Sequence, residues 1–136
     1  APQVLVTDLH RLTGELRRID LGLCVMTNDA EIPARAHLAS VQALDLFDFV
    51  IGSDSGFGAK PQAMPLLALA DKMDIPAAAC VMVGDSAHDL RAGRAAGMRA
   101  VAVLTGLAEA AELAPLADAV LPDVSHLPAW ISAQNR

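Results

Sequence analysis

Aromatic side chains make up only 3% of the 136 residues, which excludes a core built on stacked rings; Ala, Val, Leu and Met must fill the interior. Positive charge is also scarce: 10 Lys and Arg stand against 16 Asp and Glu, for a net charge of -6. That balance argues against non-specific binding to nucleic acid or to an acidic membrane surface, both of which need a positive field. A small polyanionic substrate would then need a local cation, from a metal or a placed lysine. Cysteine occurs twice, as Cys24 and Cys80, each in an apolar, strand-like run where a thiol behaves as a small buried hydrophobe. No disulfide framework is expected, and a reducing cytoplasm is the default location. No apolar stretch approaches membrane-spanning length, the N-terminus lacks the basic-then-apolar layout of a signal peptide, and no repeat or linker divides the chain. What is present is 54% apolar and 19% charged residues, the composition of one globular domain.

Apolar runs and helical spacings alternate along the chain. After Val4-Leu5-Val6, Thr7-Asp8 reads as a helix start, with Leu9, Leu12, Leu16 and Ile19 at helical spacing and an end near Asp20 to Gly22. Leu23 to Met26 reads as a buried strand ending in Thr27-Asn28-Asp29. A second helix comes next, with Pro33 in its first turn and Ala36, Leu38, Val41 and Leu44 among its apolar positions. Phe49 to Gly52 is a short strand that opens into the loop Ser53 to Pro61. A third helix is expected from about Gln62 to Lys72, with Leu66, Leu67, Leu69 and Ala70 inward, then strands at Ala79 to Val83, Ala100 to Leu104 and Ala119 to Pro122, and a terminal helical turn around Leu127 to Ile131. Strands alternating with helices predict a three-layer α/β domain with a doubly wound parallel sheet.

The chain is organised around Cys80 to Gly97, C-V-M-V-G-D-S-A-H-D-L-R-A-G-R-A-A-G. A buried strand stops at Gly84 and delivers Asp85 and Asp89 at the head of an Ala-rich helix that Gly97 is placed to end. Ligands of open α/β sheets bind at this edge, and paired acidic oxygens there suit a hard cation such as Mg2+. The plainer reading is that Asp85 or Ser86 caps the helix and Asp89 favours its positive end. Two other strand ends share the edge by topology: Thr27 and Asn28 come after the first secure strand, and Lys60 after the second, through the glycine loop. A hydroxyl, backbone N–H groups, an ammonium and a carboxylate pair are the parts that hold a phosphoryl group beside Mg2+. Thr27 also reads as a strand residue or cap, and Lys60 as a solvated loop lysine. At the start of a helix, however, the dipole disfavours a cation unless it faces an anion. Asp54 reads as a turn former, and His37 and His88 as surface residues.

The order V-M-T-N, then G-A-K-P, then V-G-D-S-A-H-D-L-R-A-G-R-A-A-G-M resembles motifs II, III and IV of the haloacid dehalogenase-like superfamily, most of all its phosphoglycolate phosphatase-type members. The resemblance implies that Thr27 and Asn28 hold the transferring phosphoryl group of a small phosphorylated metabolite. It implies that Lys60 neutralises nucleophile and phosphate, and that Asp85 ligates Mg2+. Asp89 would support the metal or Lys60 from the second position. Family members also carry motif I, an Asp-x-Asp at the end of a central strand, and no Asp-x-Asp occurs here. The nearest stretch, Val4 to His10, offers Asp8 but places His10 where the second carboxylate would stand, with only about a dozen residues to the next strand. The expectation is therefore a chain that begins after motif I and the cap, inactive by itself, whose missing central strand is replaced by Gln3 to Thr7, by a partner in a homodimer, or by closure of the flanking strands. The rival reading is a non-catalytic binding or regulatory module of the same fold.

Overall fold

The computed structural model describes residues 14–19 and 21–134, which divide into two compact units. One runs through Ser55 and takes in the segment from Ser125; the other is Gly56–Val124. The proposed helix start at Thr7-Asp8, the strand filler Gln3 to Thr7 and the candidate Asp8 lie outside the described residues.

In the first unit, helical residues 14–18 (α1) precede β1 (Cys24–Met26), α2 (Glu31–Ser40) and β2 (Phe49–Ile51), and the unit ends with the terminal helix over Leu127–Gln134. β1 and β2 pair in parallel, Cys24 with Phe49 through Met26 with Ile51, and Thr27 N–H extends the ladder to Ile51 O (3.1 Å). Leu16, Met26, Ala43, Val50, Ile51 and Leu127 are buried. The second helix departs from the sequence expectation. It stops at Ser40, leaving Val41 and Leu44 outside it, and it buries no residue fully; Ala36 is exposed, and the buried residue is Ala43 in the turn beyond it.

In the second unit, α3 (Met64–Met73), β3 (Val81–Gly84), α4 (Ala87–Ala95), β4 (Arg99–Val103), α5 (Ala110–Leu113) and β5 (Ala119–Leu121) succeed one another, and the terminal helix of the first unit is thereby α6. The strands lie β3-β4-β5, all parallel, with Val83 opposite Val101 and Val101 opposite Ala119. Leu90, Ala100, Ala102 and Leu113 form the core, joined by Ala108, Leu116, Ala117 and Val120. Small residues let the layers approach: a Cβ on Gly93 would lie 2.7 Å from Met82 Cβ, so α4 rests directly on β3. α3 turns Pro65, Leu66, Leu69 and Ala70 inward, at three- and four-residue spacing, which puts Leu67 on the opposite face at 42% exposure instead of in the core. Ala77–Ala79 form a 3-10 turn after Pro76 rather than the start of a strand.

Every described pairing is parallel, as expected: β1 with β2 in the first unit, and β3-β4-β5 in the second. In both sheets one aspartate serves the neighbouring strand. Asp48, just before β2, exchanges bonds with Leu23, its N–H donating to Leu23 O (2.7 Å) and its Oδ2 accepting from Leu23 N–H (2.8 Å). Asp118, just before β5, does the same with Ala100, at 2.7 Å each way. Each carboxylate satisfies a backbone donor at a strand start that the ladder itself leaves open. No helix among the described residues is long and apolar enough to cross a membrane.

Candidate functional site

β3 runs into Gly84, and the first turn of α4 dictates that this residue be glycine. A Cβ there would overlap Asp89 Cβ and lie 2.5 Å from its Cγ; because Cβ is fixed to the backbone, no rotamer could relieve the clash, and only hydrogen lets the helix fold back over the strand end. Ser86 then takes the N-cap position, in extended conformation, and closes a capping box with Asp89. Asp89 N–H donates to Ser86 Oγ (3.4 Å), while Asp89 Oδ2 accepts from Asp85 N–H (3.2 Å), Ser86 N–H (3.3 Å) and Ser86 Oγ (3.0 Å). Of the two caps the sequence offered, the structure selects Ser86.

The other oxygen of Asp89 accepts from Lys60 Nζ, forming an ion pair whose side chains are 10% and 11% exposed. Among the described residues Asp89 is the buried charged side chain, and burial of a carboxylate is tolerable only with its charge and lone pairs met. Lys60 arrives on a loop tightened by Gln62, whose N–H donates to Ala59 O (2.9 Å) and whose Oε1 accepts from Ala59 N–H (3.2 Å). α3 begins only at Met64, so Lys60 is not at a helix start and the dipole argument for an anion lapses; Lys60 nonetheless faces one, Asp89.

Asp85 differs from Asp89 in every respect. It is exposed, and among the described residues its carboxylate accepts no hydrogen bond. Its backbone is pinned through Asp89, and the loop after β4 comes up against its side chain at Gly106. Thr27 and Asn28 belong to the first unit, directly after β1. Thr27 Oγ1 accepts from Asp29 N–H (3.1 Å), a hydroxyl turn rather than the strand residue or helix cap of the plainer reading. Asp54 also acts structurally: its Oδ1 accepts from Glu31 N–H (2.8 Å) and caps α2, which has no cap of its own. His37 and His88 are exposed, as expected.

The structure thus brings Lys60, Asp85 and Asp89 together at the end of β3. Gln62 and Gly106 were missed by sequence reasoning. Gln62 carried a weak signal, an amide three residues after a turn residue; Gly106 carried none beyond its place shortly after a strand. Burial pushes the Cys80 thiol above its ordinary pKa, which makes it a poor nucleophile. Among the described residues no three His, Cys, Asp or Glu side chains gather as a metal-binding group. The donor set is instead one solvent-facing carboxylate beside a saturated one, which suits an ion such as Mg2+ that retains several waters and takes one or two carboxylates.

A family model described as haloacid dehalogenase-like hydrolase matches residues 4–103. The chain is 37% identical over 114 residues to a phosphoglycolate phosphatase of Chromobacterium violaceum, covering 84% of this chain and 50% of that protein. It is 37% identical over 108 residues to one of Neisseria meningitidis, covering 79% and 46%. The chain therefore spans about half the length of the curated relatives it matches. A solved hydrolase of the same family from Deinococcus radiodurans, with bound phosphate and sodium, superposes with a TM-score of 0.83 at 22% identity, covering 90% of this chain and 57% of that one, and shares the fold. With the family model spanning most of its length and the parallel α/β architecture found in the solved relative, the chain belongs to the haloacid dehalogenase-like hydrolases.

Proposed function

We propose that this chain carries the lysine and the metal-binding carboxylate of a Mg2+-dependent phosphate monoester hydrolase. The observation that supports the reading is the division between two carboxylates four residues apart. Asp89 spends one oxygen on Lys60 and the other on three donors of the α4 cap, whereas Asp85 faces solvent at the strand end. Asp85 is thus the residue to ligate Mg2+, and Asp89 acts by anchoring Lys60. Mg2+, when bound, supplies positive charge to phosphoryl oxygens. Lys60 keeps a second positive charge at the same strand end, where an anionic ester would otherwise meet a chain of net charge -6. To Thr27 and Asn28 we assign phosphoryl binding on motif resemblance. The names of the relatives make phosphoglycolate the first substrate to try.

Turnover in this family passes through an aspartyl-phosphate, and the sequence holds no Asp-x-Asp to form one. The expected result is p-nitrophenyl phosphate hydrolysis at background with Mg2+, together with Mg2+-dependent binding of inorganic phosphate, read by 31P NMR line broadening and lost in Asp85→Asn. Clear hydrolysis abolished by Asp8→Asn would assign the nucleophile to Asp8 and refute the inactive reading. A chain that binds no phosphate but forms a tight complex with a second protein would favour the non-catalytic module.

A further inference from the structure

We propose that Gly106 is a positioning residue: the backbone of the loop after β4 walls in the Asp85 carboxylate and sets the direction in which it meets a divalent cation. The inference rests on the reading of Asp85 as the metal ligand. A Cβ at position 106 would lie 2.7 Å from Asp85 Oδ2 and 2.8 Å from Cγ, too close for either, and a tight 3.1 Å from Cβ. Conformation does not explain the glycine. The glycines with positive φ are Gly56, Gly58 and Gly97, and Gly106 is not among them, so no left-handed backbone demands glycine there. What demands hydrogen at this position is the side chain of Asp85.

Neither wall yields easily. On the loop side, Leu104 N–H donates to Leu121 O (3.1 Å) and Pro122 O (3.3 Å), tying the segment to the end of β5. On the Asp85 side, the backbone N–H is bound to Asp89 Oδ2, and Asp89 is held by Ser86 and Lys60. A methyl group at 106 is therefore relieved by swinging the exposed Asp85 side chain about χ1, away from its present direction, while the fold persists. Gly84 is the contrast: its added methyl would strike Asp89 Cβ, which cannot swing, and the cost there is structural.

The test is a titration of the 136-residue chain with Mn2+, monitored by the EPR signal of the free ion, alongside thermal melting. Gly106→Ala is expected to weaken Mn2+ binding by about ten-fold or more, the usual effect of disturbing a group that orients a ligand, with Tm within about 2 °C of wild type as for other exposed substitutions. Wild-type Mn2+ affinity in Gly106→Ala, with binding lost in Asp85→Asn, overturns the inference and leaves the metal reading standing. A wild-type chain that binds no Mn2+, or an Asp85→Asn chain that binds as well as wild type, overturns both. If Gly106→Ala melts far below wild type, the double variant Asp85→Gly/Gly106→Ala decides: recovery of Tm shows that the methyl meets only the Asp85 side chain, and no recovery refutes the inference.

Discussion

Lys60→Met tests the centre of the site most directly, because it keeps the length and apolar stem of the side chain and removes only the charge. Asp89 would retain three donors on Oδ2 and lose the cation on Oδ1. Stranding a buried carboxylate costs about 3–5 kcal/mol. The pair is about a tenth exposed, so residual solvation lowers that figure here. We expect a loss of about 2–4 kcal/mol, a fall in Tm of roughly 6–15 °C for a chain of this size, measured by circular dichroism. Adding Asp89→Asn, which keeps an acceptor for the cap but carries no charge, recovers most of the loss at pH 7. A Lys60→Met chain that melts within a degree of wild type, or a double variant that recovers nothing, would refute the argument that Lys60 holds the charge of Asp89.

The same geometry gives two further outcomes. Ser86→Ala removes the cap of α4 and one donor to Asp89, and costs about 1 kcal/mol in urea unfolding, whereas Ser86→Thr stays near wild type; equal stability of the two would deny Ser86 its capping role. Burial raises the Cys80 thiol pKa, so in a Cys24→Ser background its alkylation by iodoacetamide reaches half-maximal rate at a higher pH than that of an unstructured thiol peptide. The raised value also means that the thiol contributes stability below its unfolded pKa, lost as pH climbs through the folded one. A midpoint at or below that of the peptide contradicts the burial.

Much of the second unit was legible because its signals are local. The run ending at Gly84, the Ser86 and Asp89 spacing and the glycine after α4 all act within a few residues, and each element that was expected formed within two or three residues of where its pattern placed it, while the short α5 was not anticipated. Local patterns misled where a face had to be chosen. Leu67 looks as apolar as Leu66, yet a period near 3.6 turns it outward once Leu66, Leu69 and Ala70 are buried. Ala36 likewise lies on an exposed face of α2, and Ala43 takes the buried place. Ala77–Ala79 carry no side chain that distinguishes a strand from a turn, and Pro76 precedes a turn.

From the sequence alone came the alternation of strand and helix, the family resemblance and the set of residues that could bear chemistry, since these depend on residue type and short spacing. Tertiary structure alone decided which of them act together: Lys60 meets Asp89 across 29 positions of chain, and Gly106 meets Asp85 from the loop after the neighbouring strand. The physical reason is that a buried charge and a forbidden methyl are properties of the space around an atom, and that space is made by segments the chain brings together only when it folds.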